Sequence, residues 1–279
     1  MEYKRFEESV YGKTAIITGG TSGIGKTCVE VFCAAGVNVI TMGRSVENGK
    51  KLEQTINEQN KGKCTFYECN IKNSTRLKEI IELSVEEFGR LDILVNCAGY
   101  FPEQKPIDCI SKEMFEDVLE TNLTAYFMGC KYSLPYLRTS KGSIINIGSV
   151  VGTVGAEGAL AYSCTKGAIS SFTRSLAIDE ARNGVRVNEV KPGHIATEMF
   201  ELTTSKVKNP DAYIDYFDHV QWMGRGGRAQ EVAYMVLFLG SDWASFITGE
   251  SIHVSGGYEI GQGVKVPNEL LVWGKMERK

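Results

Sequence analysis

Short apolar runs alternate along the chain with longer stretches in which apolar positions recur every three or four residues. The runs are TAIIT (14–18), VNVITM (37–42), KCTFYE (63–68), LDILVN (91–96), SIINIG (143–148), VRVNEV (185–190) and SIHV (251–254). Most are too continuously apolar to show one solvated face, the pattern of parallel strands covered on both sides. Between them the helical period predicts helices over 24–35, 46–59, 75–88, 112–137, 160–182 and 229–239. Gly36 and Gly89 stand where helices end on a left-handed residue, and Ser111 stands where one begins. The 112–137 stretch is long enough to carry a kink or a step. Strand–helix units repeated along the whole chain predict one α/β domain, a doubly wound parallel sheet with helices on both faces. The segment 194–228 breaks the rhythm: irregular, rich in aromatics, Met and Gly, it reads as a substrate lid. The tail 258–279 has no clear period, although VPNELLVW (266–273) is apolar enough to pack on another surface.

The turn after the first run is Thr18-Gly19-Gly20-Thr21-Ser22-Gly23-Ile24-Gly25, and a helix follows. Glycines at a strand-to-helix turn allow close backbone approach, and the free N–H groups of the helix start then face a diphosphate. The spacing is GxxxGxG rather than GxGxxG, so the strand–turn–helix setting carries more weight than the glycines alone. The second strand ends in Met42-Gly43-Arg44-Ser45. A carboxylate there would take the adenosine ribose hydroxyls of NAD. Gly43 removes it, Arg44 offers a planar donor fork for a 2′-phosphate, and Ser45 offers a hydroxyl. That favours NADP(H), with NAD(H) the alternative.

The fifth run leads into Ser149, and thirteen residues later come Tyr162 and then Lys166. Four apart on a helix, the phenol and the ammonium share one face. A free phenol is a poor base at pH 7, and a neighbouring ammonium favours the phenolate. Ser149 at the strand end can donate to a substrate oxygen. Together these make a proton-transfer unit. Asn122, mid-helix in LETNLTAYF, is a poor helix former; it either bends the helix or holds a water that relays a proton from Lys166.

Composition narrows the alternatives. In 279 residues, Lys+Arg is 31 and Asp+Glu 34, a net charge of −3, and no basic run tracks phosphates, so no nucleic-acid partner is expected. No apolar run approaches the roughly 18 residues of a membrane span. The first residues, MEYKRFEESVYGKT, contain no signal-like apolar segment, so a cytoplasmic location with reduced thiols is expected for the eight cysteines. Three dispersed His residues and no CxxC predict no metal site.

Taken together, TGGTSGIG (18–25), NCAG (96–99), Asn122, Ser149, YSCTK (162–166) and PGHIAT (192–197) resemble the classical short-chain dehydrogenase/reductase family, over residues 12 to about 257. The resemblance implies a Rossmann fold with a seven-stranded sheet in the order 3-2-1-4-5-6-7, hydride exchange between a nicotinamide and an alcohol or ketone, and a homotetramer. It implies Tyr162 as acid/base, Lys166 on the nicotinamide ribose, Ser149 orienting the substrate and Asn122 holding a relay water. Asn96, Ala98 and Gly99 would flank the cofactor. Asn70 and Ile71 would meet the adenine, Pro192, Gly193 and Ile195 would back the nicotinamide, and Thr197 would hold its carboxamide. Within the family the chain looks like the type 14 17β-hydroxysteroid dehydrogenases, also described as L-fucose dehydrogenases. It departs from them at Gly43-Arg44, where they carry Asp, and at Ala156, where they carry Gln; Cys97 replaces a usual Asn.

The expected substrate wall is Tyr100, Val150, Ala156, Glu157, Leu160, His194, Met199 and Trp222. The aromatics of 194–223 favour a steroid-like or other apolar carbonyl compound. That is the expected substrate class; a sugar of the L-fucose kind is the alternative, for which Glu157, His194 and His219 are polar candidates. A catalytically silent dinucleotide-binding sensor, or an epimerase or dehydratase on the same fold, is the contrasting reading; the presence of both Tyr162 and Lys166 weighs against the silent form.

Overall fold

The computed structural model describes residues 5–59 and 61–261. Seven strands, β1 (Thr14–Thr18), β2 (Asn38–Gly43), β3 (Cys64–Glu68), β4 (Ile93–Asn96), β5 (Ser143–Ile147), β6 (Arg186–Pro192) and β9 (Ser251–Val254), form one parallel sheet in the order β3-β2-β1-β4-β5-β6-β9. This is the expected topology; the last strand is ninth because a short pair, β7 (Ile195–Ala196) and β8 (Gly227–Arg228), lies within the lid region. Alternation sorts the side chains between the two faces. Ile40, Ile16, Leu94, Ile144 and Val187 sit in register as one fully buried row across five strands. Their neighbours Ile17, Val95 and Ile145 form the row on the opposite face.

Helices cover both rows. On one face α1 (Gly23–Ala34) and α10 (Ala229–Gly240) press Val29, Phe32, Val232 and Val236 onto the sheet. On the other, α3 (Ser74–Phe88), α5 (Ala125–Ser140) and α7 (Leu160–Glu180) contribute Ile80, Leu137 and Ala177. Helix α2 (Val46–Gln59) flanks β3 at the edge. The expected stops hold: Gly89 caps α3 at φ 74°, and Ser111 Oγ accepts from Met114 N at 3.2 Å at the start of α4 (Lys112–Leu119).

The step expected in the 112–137 stretch is present, whereas the irregular lid is corrected. The long helix over 112–137 is α4 and α5 joined by one wide π turn, Glu120–Thr124, with Asn122 buried in it. Such turns widen a helix by one residue and recur at functional positions. The lid is less irregular than its composition suggests. It contains α8 (Glu198–Thr204) and α9 (Pro210–Val220), the latter started by Asn209, whose Oδ1 accepts from Ala212 N at 3.2 Å. A short α6 (Val151–Val154) follows β5. The apolar stretch 266–273 lies outside the described residues. Among the described residues no helix is long and apolar enough to cross a membrane.

Candidate active site

Strand order reverses between β1 and β4, and parallel sheets open a crevice above such a point at the carboxyl ends of their strands. A cavity of about 580 Å³ lies there, running from the β2 end to the lid. Its floor at one end is the glycine turn: Gly19, Thr21, Ser22, Gly23, Ile24 and Gly25 all line it. A side chain at Gly19 would place its Cβ 2.8 Å from Ala98 Cα, and one at Gly25 would come within 2.3 Å of the Gly19 carbonyl. Only glycine permits this crossing of backbones. The opposite wall, Ala98 and Gly99, is held by Thr18, whose Oγ1 accepts from Cys97 N at 2.9 Å and Ala98 N at 3.0 Å.

The turn fits an anion, and a protein anion already touches it. Glu198, the first residue of α8, accepts a hydrogen bond from Gly23 N at 2.9 Å. Gly43, Arg44, Asn70 and Ile71 line the cavity beyond the β2 end, as expected for the adenosine side. Arg44 enters none of the ion pairs among the described residues, while Lys72, also in this wall, pairs with Asp117 at 2.5 Å. Ser45 does not line the cavity; its Oγ accepts from Asn48 N at 3.4 Å at the first turn of α2, so its hydroxyl serves the helix start instead. Asn96 also departs from expectation. Its Nδ2 donates to Asn146 Oδ1 at 2.9 Å and to Cys130 Sγ at 3.3 Å, which ties β4 to β5 and α5 below the cavity floor.

Ser149, Tyr162 and Lys166 meet at the inner wall. Lys166 is buried, and its Nζ donates to the Ile147 carbonyl at 2.7 Å, 5.4 Å from the Tyr126 ring and 5.6 Å from that of Tyr162. Phe101 stands edge-on to Tyr162 at 4.8 Å, a contact with no signal in the sequence beyond its place after the NCAG turn. Burial pushes the Tyr162 phenol up to about 12, while its hydrogen bond with Ser149 pulls the other way. Burial also lowers Lys166 to about 8, opposed by Cys97 and Glu189. The ammonium was expected to favour the phenolate. Here desolvation prevails for both groups, because the lysine is directed to a backbone carbonyl rather than to the phenol.

Asn122 commits one bond from each end of its amide to Tyr100. Its Oδ1 accepts from Tyr100 N at 3.0 Å and its Nδ2 donates to Tyr100 O at 2.9 Å, clamping the loop after β4 beside Gly99 and Lys166. Tyr100 in turn donates its hydroxyl to Asp117 at 2.5 Å.

At the lid end Pro192, Gly193, Ile195 and Thr197 line the cavity, as expected for a nicotinamide shelf. Of the expected substrate wall, Tyr100, Val150, His194 and Met199 line it too, joined by Phe200, Tyr213 and Phe217. Ala156, Glu157, Leu160 and Trp222 do not. Ala156 and Glu157 are exposed in the turn between α6 and α7, where Gly155 and Gly158 adopt positive φ. The Glu157 carbonyl accepts from Gln104 Nε2 at 2.9 Å, Leu160 is exposed, and Trp222 lies against Gly257. His194 is wedged by Phe200 at 3.7 Å and Phe217 at 5.5 Å between ring centroids. Neither ring nitrogen has a hydrogen-bond partner among the described residues, and Asp218 stays 3.8 Å from Nδ1. Burial lowers the imidazole's pKa, which leaves it neutral near pH 7.

The profile of a family described as enoyl-(acyl carrier protein) reductase matches residues 19–259. The chain is 37% identical to the L-fucose dehydrogenase of Mus musculus over 260 residues, 93% of each chain. It is 36% identical to a 3-oxoacyl-[acyl-carrier-protein] reductase of Vibrio cholerae, over 88% of this chain and 97% of that one. Among solved structures, the ligand-free aldohexose dehydrogenase of Thermoplasma acidophilum superposes with a TM-score of 0.84 at 31% identity, covering 94% of this chain and all of the other.

Proposed function

The chain belongs to the classical short-chain dehydrogenase/reductase family, and from that premise we propose that it exchanges hydride between a nicotinamide dinucleotide and a hydroxylated, aldose-like substrate. It is an oxidoreductase acting on CH–OH or C=O groups. The observation that carries the site assignment is convergence: Ser149, Tyr162 and Lys166 line the same cavity as the glycine turn.

When bound, the dinucleotide supplies the hydride donor or acceptor. The chain's residues handle the proton. Ser149 orients the substrate oxygen, and Tyr162 Oη gives a proton to a carbonyl oxygen or takes one from an alcohol. With its phenol raised to about 12, Tyr162 carries its proton at neutral pH and has one to give, though as a weaker acid than a free phenol. Oxidation needs the phenolate, so its rate rises with pH until Lys166, lowered to about 8, loses its charge. Asn122 fixes Tyr100 through its amide, and a relay water held beside it would link Lys166 to solvent.

NADP(H) is favoured over NAD(H) because Arg44 lines the adenosine end outside any ion pair among the described residues, and Gly43 brings no carboxylate there. The aldose reading is supported by the names of two relatives and by His194, an unpartnered neutral imidazole in the substrate wall. A second reading, an apolar carbonyl compound, draws support from Met199, Phe200, Tyr213 and Phe217. A panel of L-fucose, other aldoses, steroid alcohols and ketones, each with both nicotinamides, decides between them. Aldose turnover with inert steroids supports the first reading, and the reverse result overturns it. The homotetramer implied by the family is tested by sedimentation.

A further inference from the structure

Beneath the site lies a pair of charges that the reaction, as described, does not use. Glu189 is fully buried and Lys191 nearly so, on the same face of β6. Isolating two ions from water costs several kcal/mol each, and an apolar pair of similar volume commonly does as well or better. The pair is therefore no simple stabilising device. Lys191 Nζ stands 3.8 Å from Glu189 Oε2, beyond a direct hydrogen bond, and donates to Thr153 Oγ1 at 2.9 Å. The carboxylate instead receives Ser170 Oγ from α7 at 3.2 Å and Ser251 Oγ from β9.

These partners surround the catalytic groups. Ser170 is one helical turn beyond Lys166 on α7. The carboxylate occupies the space that Gly148 leaves: a Cβ there would lie 2.0 Å from Glu189 Oε1. Gly148 separates Ile147, whose carbonyl anchors Lys166 Nζ, from Ser149. Thr153, which holds Lys191, is in the helix that follows Ser149 and reaches His253 Nε2 at 3.4 Å.

We propose that Glu189 is a positioning residue for the reaction, its buried carboxylate setting a negative charge behind Lys166 and a fixed floor beneath Ser149. The groups facing it are Lys191 on its own strand, Lys166 and Ser170 on α7, and Ser251 on β9; the charge of the carboxylate is also felt at Tyr126 on α5. His253 joins only through Thr153. The negative charge favours protonated Lys166. Its removal therefore moves the lysine's loss of charge to lower pH, and Lys191, left unopposed, pushes the same way.

The inference rests on the reading of Lys166 as catalytic, and the test separates the two. Glu189→Gln is made together with the double variant Glu189→Gln/Lys191→Met, which leaves no unpaired charge and keeps the experiment sound if the single variant folds poorly. The kcat–pH profile of alcohol oxidation is measured for both, with Lys166→Met as control. The expected result is that in Glu189→Gln the alkaline limb moves down by on the order of one pH unit, about a tenfold loss at the alkaline end and about twofold at pH 7, and that in the double variant, where the charge of Lys191 is gone too, it moves down by less. The double variant recovers thermal stability lost by the single one while its limb stays below the parental one. A double variant with the parental pH profile overturns the inference. Retained turnover in Lys166→Met overturns the catalytic reading instead.

Discussion

The two ends of the cavity are built from different material. At the dinucleotide end the wall is mainly backbone: the glycine turn, the Ala98–Gly99 loop and the β2 end, each leaving a central strand of the sheet. At the substrate end the wall is side chain. Phe200, Tyr213 and Phe217 come from α8 and α9, which pack largely on one another and on His194. Backbone fixed by a sheet holds its geometry whatever surrounds it, whereas a surface of side chains on two short helices depends on how those helices dock. On the proposed function, the first end would be a binding site shared across a fold and the second the source of specificity.

The largest effect that can test this contrast lies where the ends meet. Tyr162→Phe removes the proton-transfer group and is expected to lower turnover by about 10²–10⁴ while dinucleotide affinity, measured by fluorescence titration, stays near that of the parent. Near-parental turnover would remove Tyr162 from the chemistry. Next comes Arg44→Asp. Loss of a charge-assisted contact, about 1.5–3 kcal/mol, corresponds to roughly 10- to 100-fold weaker NADPH binding with NADH little affected or improved. Equal losses for both would show that Arg44 does not read the 2′-phosphate.

A smaller effect is expected at the lid. Phe217→Ala loosens the contact between α9 and His194, and KM for the substrate should rise on the order of tenfold, ~1.4 kcal/mol, with the dinucleotide dissociation constant unchanged. If both constants rise together, the two ends are not separable. The smallest effect is at Glu198. Glu198→Gln withdraws a carboxylate from the anion-binding turn at Gly23, and dinucleotide binding is expected to tighten by about two- to fivefold, a fraction of a charge–dipole interaction of up to ~1 kcal/mol. Weaker binding in that variant would mean that the carboxylate helps to seat the cofactor.

Reading the sequence succeeded where one residue type answers one local need. Gly89 and Ser111 mark helix ends because left-handed backbone and unpaired N–H groups have few chemical solutions. The same holds for Gly19 and Gly25, where any side chain would strike neighbouring backbone. It failed where a residue's partner lies far along the chain. Asn96 was expected at the cofactor and turns instead to Asn146, fifty positions away. Ser45 failed for the opposite reason: the start of its own helix, three residues on, competes for its hydroxyl. Trp222, Leu160 and Glu157 belong to segments of the right composition, but nothing in composition says which way a side chain faces.

The alternation of apolar runs and amphipathic helices, with glycine between the first of each, was enough to determine the parallel sheet, its winding and the turn that faces an anion. Those are consequences of period and of short-range sterics, which the chain carries in consecutive residues. Only the tertiary structure decided that Lys166 is buried and Tyr162 half-buried, each pushed away from its charged form. Only it brought Glu189 under Gly148, and left the His194 ring nitrogens without partners among the described residues. Burial and charge proximity depend on which distant segments close over a group, and that is a property of the packed molecule rather than of any stretch of its sequence.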